Sequence, residues 1–262
     1  MKMTTSTIYE YDCQSMAKFL SAYARILFSS GSTCIRLEKN VTRIAETFNM
    51  HSVLSIFPRH IHLTVSDSGG EVTTAVVNIA AKPVNFTIIT RLSSLSWDIA
   101  DHRISLHDAE DKISEISSRP QIGIWSKTAL IAAANASFCR LFQGDVTAML
   151  TVFIATVGGL VIRQTLSSRD FDFRVATILS AFTAVVIASA DHIFSLSTTP
   201  DTAIATSVLY LIPGIPLINS FCDMLDGRYI CAFGRLMHAI VLTACMSIGL
   251  YLGISAMRIS IF

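Results

Sequence analysis

The run Leu209-Tyr210-Leu211-Ile212-Pro213-Gly214-Ile215-Pro216-Leu217-Ile218-Asn219 lies inside an uncharged stretch, Thr202–Cys222, long enough to cross a bilayer. Two prolines and a glycine interrupt it. Pro213 cannot donate to the carbonyl of Leu209, nor Pro216 to that of Ile212, and Gly214 loosens the backbone between them. In lipid the freed carbonyls must find partners or line a watered cavity. The break also predicts a new helix N-terminus near the bilayer centre, where open N–H groups and the helix dipole favour an anion such as a carboxylate. Asn219, further along, is placed to hydrogen-bond the same ligand. A packed kink is the plainer reading of any one residue, but three breakers together exceed what a bend needs.

Further runs of the same kind flank this one: Val146–Ile162, Val175–Ala190, Leu236–Met257 and the shorter Thr128–Cys139, whose bordering Lys127 and Arg140 can snorkel to the interface. They are apolar on all sides, unlike the amphipathic helices of a soluble core. The 262 residues are 52% apolar and 15% charged, against about 25% charged in a soluble protein. The charge is uneven: residues 1–120 hold 12 Lys/Arg and 12 Asp/Glu, residues 121–262 only 8 and 7. The expected fold is an α-helical polytopic membrane protein of five transmembrane helices (residues 121–262) with an N-terminal soluble α+β domain (residues 1–120). No concentrated basic face exists to neutralise phosphates, so a nucleic-acid partner is excluded. The bilayer is the expected environment.

Orientation follows from the short loops. Arg163, Arg169 and Arg174 fall between spans two and three, and Arg228 and Arg235 between four and five, whereas Asp191–Asp201 has no Lys or Arg. This predicts a cytoplasmic N-terminal domain and a C-terminus outside. An odd number of spans inverts any second unit that follows, and inverted repeats are a common basis of alternating access. No internal repeat is present, so a complete pathway is expected to need a partner chain or self-assembly into an oligomer.

In the first 120 residues, helical spacing covers residues 14–30 and 33–48, with Gly31 suited to end the first helix and Ser32 to cap the second. Alternation predicts strands at Ile61–Ser66 and Val72–Val76 around a turn at Asp67–Gly70, with further strands at Ser52–Phe57 and Phe86–Thr90. Helices follow at Ser94–His102 and Leu106–Ser118, the latter opened by a capping box, Ser105 with Asp108. Arg119-Pro120 is the expected junction to the membrane. Glu10 and Asp12 precede any apolar run, so no secretory signal is expected. The six cysteines form no CxxC pair, which argues against a disulfide framework or a zinc site.

Catalytic signatures are lacking. There is no G-x-S-x-G elbow, no P-loop and no dinucleotide-binding glycine pattern. The hydroxyl-rich Ser29-Ser30-Gly31-Ser32-Thr33 is explained by capping, and His60 with His62 lacks a third ligand. No catalytic residue, metal or cofactor is expected. A membrane-anchored, hydrolase-like enzyme acting through the N-terminal domain is the alternative reading. In the membrane half, Asn135 and Ser137 could line the cavity or bond a neighbouring helix, and Thr156 with Gly158 and Gly159 suits close helix packing. The substrate-binding candidates are Pro213, Gly214, Pro216, Asn219 and Asn135. Asp223, Asp191 and His238 are ionisable groups at or inside span ends and are the proton-coupling candidates.

These residues resemble a known family. The motifs are Gly31-Ser32-Thr33-Cys34-Ile35-Arg36-Leu37-Glu38, Ile162-Arg163-Gln164, Thr199-Pro200, and Val208 through Asn219 followed by Asp223-Met224 and Gly227. Together they are similar to the threonine/serine exporter family, most closely its split form. The resemblance implies export of a small carboxylate-bearing metabolite, succinate for the split form or threonine/serine for the fused one. It further implies a bacterial inner-membrane location and a smaller YjjB-type membrane subunit as partner.

Overall fold

The computed structural model describes residues 12–80, 82–118 and 122–259. Glu10 and the expected junction Arg119-Pro120 lie outside the described residues. The chain divides into two compact units: Met1–Pro120 with Ile215–Leu236, and Gln121–Gly214 with Met237–Phe262. The sequence boundary near residue 120 thus leaves out a 22-residue segment that the structure gathers with the first unit.

The first unit opens with α1 (Cys13–Ser29) and α2 (Cys34–Thr47). A three-stranded antiparallel sheet follows, in the order β1 (His51–Ile56), β2 (His60–Ser66), β3 (Val72–Asn78). Asp12 caps α1 by accepting the Ser15 N–H at 3.0 Å, and the Ser15 side chain, then that N–H, hold its carboxyl below the usual range. The strand alternation places Leu54, Leu63 and Ala75 in one cross-strand row and Ile56, Ile61 and Val77 in another. Against this face α1 and α2 bury Met16, Phe19, Leu20, Leu37 and Ile44, each stabilising the fold by about 1.5–3 kcal/mol. Then come α3 (Phe86–Ala100) and α4 (Leu106–Ser118). Half of the expected capping box forms: the Ser105 hydroxyl accepts the Asp108 N–H at 3.2 Å, while the Asp108 carboxylate accepts that hydroxyl's hydrogen at 2.7 Å.

Two local expectations are corrected. Phe86–Thr90 is the first part of α3, not a strand. Asn85 caps it through the Ile88 N–H at 3.2 Å, and Ile89, Leu92, Leu95 and Ile99 then bury one helical face. The cap outweighs the β-branched composition. The residue before α2 is Thr33 rather than Ser32, and no side chain of its own caps the helix. Gly31 does end the α1 turn, with φ +91° and its N–H on the Phe28 carbonyl; a Cβ there would meet Val84 at 2.8 Å.

The second unit is built from α5 (Ile124–Leu141), α6 (Val146–Ser167), α7 (Phe173–Phe194), α8 (Pro200–Thr206) and a single 3-10 turn, Leu209–Leu211. Two further helices, α9 (Gly214–Leu225) and α10 (Tyr229–Ala256), complete the chain. Small residues let the backbones approach. A Cβ at Gly249 of α10 would stand 2.6 Å from Ala181 of α7, and one at Gly253 would stand 2.7 Å from Val185. Three helices, α6, α7 and α10, are long and apolar enough to cross a membrane. A fourth span is counted if the pieces Pro200–Leu211 and Gly214–Leu225, which meet at 57°, make one broken crossing. The remaining expected span, α5, is 18 residues long and includes Lys127, Asn135 and Arg140.

Candidate functional site

The break in the fourth apolar stretch is where the sequence puts it. Ile212, forced towards an extended conformation by the following proline, takes φ −58° and ψ 125°; Pro213 then ends the 3-10 turn, and α9 begins at Gly214. Pro216 is the third residue of α9. The first turn of a helix has no intrahelical acceptors for its N–H groups, so Pro216 costs no hydrogen bond beyond the break already made. Both prolines therefore serve one interruption, which corrects the idea of two separately freed carbonyls. Around Gly214 nothing lies within 4 Å of where a Cβ would be.

Within the second unit the polar side chains tie helices together. Asn135 donates to Thr156 Oγ1 at 2.7 Å and to the Thr206 carbonyl at 3.2 Å, joining α5, α6 and α8. Ser180 donates to the Gly159 carbonyl at 2.7 Å and pairs with the Tyr210 hydroxyl at 2.7 Å. Gly159 is needed here, because a Cβ would overlap that hydroxyl and stand 2.9 Å from the Ser180 carbonyl. Asp191 is fully buried; one oxygen accepts from Ser197 at 2.6 Å, and the other has no hydrogen-bond partner among the described residues. His238 is exposed, its ring 5.3 Å from that of Phe173. Ser137 only returns its hydroxyl to the Ala133 carbonyl.

Asn219 and Asp223 belong to the first unit, where they hold the turn between α1 and α2. Asn219 donates to the Gly31 carbonyl at 2.8 Å. Asp223 Oδ1 accepts the Cys34 N–H at 2.9 Å, so it supplies the cap that Thr33 does not. Its Oδ2 lies 3.2 Å from Arg235 Nε, and Arg235 also donates to the Ser32 carbonyl at 2.6 Å. Arg228 pairs with Glu38, and the Cys231 thiol donates to the Ile56 carbonyl at 3.3 Å. A hydrogen bond with Cys231, then burial, push the Cys34 thiol well up. The structure thus brings Asn219 and Asp223 together around one turn, apart from Asn135 and Asp191 in the second unit.

The hydroxyls of the same turn show no catalytic pairing. Ser29 and Ser30 both donate to the Ile26 carbonyl, and the buried Ser32 hydroxyl has no partner among the described residues. His60 and His62 stand 5.2 Å apart, with Phe57 stacked on His60. Cys13, Asp67 and Glu71 do place their ligand atoms within 4.8 Å of one another, a grouping that sequence spacing did not suggest. Burial, then Asp67 and Glu71, push that thiol up, and its hydrogen goes to the Glu71 carbonyl at 3.4 Å. Sequence reasoning also gave no role to Tyr210 or Ser180; it used Arg235 for topology, and Arg163 for topology and as part of a family motif.

Apolar helices long enough to cross a bilayer, packed through small residues and tied by buried polar cross-links, fit a membrane protein. The ThrE family of threonine/serine exporters matches residues 18–257, and the chain belongs to this family. It is 26% identical over 234 residues to "Probable succinate transporter subunit YjjP" of Klebsiella aerogenes, covering 88% of this chain and 90% of that protein. The Escherichia coli protein of the same name is 24% identical, covering 87% and 90%. "Probable threonine/serine exporter" of Mycobacterium tuberculosis is 22% identical over 88% of this chain but only 44% of its own length. No solved structure matches.

Proposed function

We propose that this chain is a subunit of a secondary exporter that moves a small carboxylate-bearing metabolite out of the cytoplasm. Succinate is the first candidate and threonine or serine the next, since the relatives carry those names. One observation carries the reading: the chain breaks at Ile212-Pro213 inside its fourth apolar stretch and restarts as α9 at Gly214, where nothing lies within 4 Å of the place a Cβ would take. Counting α5 as a crossing gives five spans and an odd topology, which favours a smaller YjjB-type membrane subunit or self-assembly to complete the pathway. The basic turn between α9 and α10 belongs to the same unit as the first 120 residues. The loop charges favour a cytoplasmic side for that unit and an outward C-terminus; the inner membrane is the location the resemblance implies.

Of the three proton-coupling candidates, Asp191 fits best. Asp223 is held by Arg235 and the Cys34 N–H, and His238 is exposed. Asp191 is buried with one oxygen that, among the described residues, has neither a hydrogen bond nor a cation beside it, and its other oxygen accepts from a hydroxyl. The test is efflux of labelled succinate, threonine and serine from cells expressing the full chain with its genomic neighbours. Pro213→Ala with Gly214→Leu, which restores helix propensity across the break, is expected to abolish efflux while the protein still reaches the membrane. Efflux at the wild-type rate would refute the mechanism.

A further inference from the structure

We infer that Arg163 is the residue of the second unit that receives the substrate's carboxylate, with Tyr210 positioning it. This rests on the exporter reading and deepens it. The loop charges alone would make Arg163 one of three equivalent topology markers, but burial separates them. Arg169 and Arg174 are exposed, and Arg174 is already paired with Asp172 at 3.0 Å. Arg163 is half-buried in α6 and, among the described residues, has neither a hydrogen-bond nor an ion-pair partner. A guanidinium drawn partly out of water without a counter-ion is costly in an apolar helix, and a ligand carboxylate offsets that cost.

The Tyr210 hydroxyl stands where a Cβ of Gly159, on the same helix as Arg163, would lie. Its orientation is set from below. Ser180 gives its hydrogen to the Gly159 carbonyl, so the Ser180 oxygen accepts the Tyr210 hydrogen, and the phenol oxygen keeps its lone pairs for a donor. Gly159 stands one helical turn before Arg163 on α6, so the two share a face. With no partner among the described residues, the five-donor guanidinium keeps a planar fork that matches a carboxylate in two parallel bonds. Tyr210 also sits three residues ahead of Pro213, on the segment that leads into the break. On the proposed topology, the end of α6 that carries Arg163 faces the cytoplasm, where an exporter must capture its load.

The experiment is isothermal titration of the purified full chain with succinate and with succinamide, its neutral diamide, alongside the efflux assay. Wild type is expected to prefer succinate, and Arg163→Gln to lose at least about tenfold in succinate affinity with little change for succinamide. Arg163→Lys keeps the charge and guards against a folding artefact; its point charge should restore only part of the preference. Tyr210→Phe gives up the bond to Ser180 and should lower the unfolding midpoint somewhat; it should also lower succinate affinity while leaving that for succinamide unchanged. If Arg163→Gln and Arg163→Lys both retain wild-type preference, the inference falls and the exporter reading stands. If the wild-type chain neither binds nor exports succinate, threonine or serine, both fall together.

Discussion

Replacing Asp223 decides whether that carboxylate serves structure or transport. Asp223 is fully buried, and the Arg235 side chain beside it is 17% exposed. Removing one member of a buried pair costs about 3–5 kcal/mol when the other charge is stranded; the residual exposure of Arg235 lowers this to about 2–4 kcal/mol. Losing the cap on the Cys34 N–H adds about 1 kcal/mol. Asp223→Ala should therefore destabilise the first unit by about 3–5 kcal/mol. Asp223→Asn, which can still accept the N–H, should cost about 1–3 kcal/mol. The two tryptophans make the assay local, since Trp97 lies in α3 and Trp125 in α5. In a Trp125→Phe background, denaturant unfolding in detergent followed by fluorescence reports the first unit alone. A double-mutant cycle of Asp223→Asn with Arg235→Gln should give a coupling of at least about 1 kcal/mol. If Asp223→Asn unfolds at the wild-type midpoint yet abolishes pH-driven efflux, the structural assignment is wrong and the carboxyl belongs to the transport cycle.

Further outcomes follow from single contacts. Gly159→Ala should displace Tyr210 and destabilise the second unit by about 1–3 kcal/mol, read from Trp125 in a Trp97→Phe background. Gly249→Val or Gly253→Val should part α10 from α7 at a similar cost, measured as faster proteolysis in micelles. Asp145 caps α6 by accepting from Ala148 and Thr198, and those bonds hold its carboxyl below the usual range. Its stabilisation is therefore present above the ordinary carboxylate range and lost as pH falls through the lowered value. Hydrogen-exchange protection at Ala148 and Thr198 should weaken only in acid, and Asp145→Asn should remove that pH dependence.

Local features were legible because their causes lie within a few residues. Alternation in Ile61–Ser66 and Val72–Val76 sets two strands, and Gly31 marks a helix end that a left-handed φ requires. Ser105 announces its own cap on the Asp108 N–H. The Pro213 break was equally plain, since a missing N–H is a property of one residue. Phe86–Thr90 was misread because its β-branched composition was weighed without Asn85, the residue just ahead that starts α3. Thr33 was missed for the complementary reason: its helix is capped by a side chain 189 positions away from Cys34.

That last case shows why ionisable residues in apolar segments are the hardest to read. Asp223 and Asp191 look alike in sequence: each is a lone carboxylate near the end of an uncharged run, and both are fully buried. Their partners differ. Asp223 meets an arginine and a helix N-terminus, so its charge has a fixed use. Asp191 meets one serine and keeps an oxygen free, so its charge has no fixed use. Arg163 makes the same point with the opposite sign, set apart from Arg169 and Arg174 by burial, and from Arg174 also by the lack of a carboxylate partner among the described residues. Proximity in sequence assigns none of these partners; Asn219 and Arg235 reach their acceptors across 188 and 203 residues. Where a buried charge is already answered by the fold, it stabilises the fold. Where it is not, as at Arg163 and Asp191, the export proposed here would supply the missing partner, an anion at one and a proton at the other.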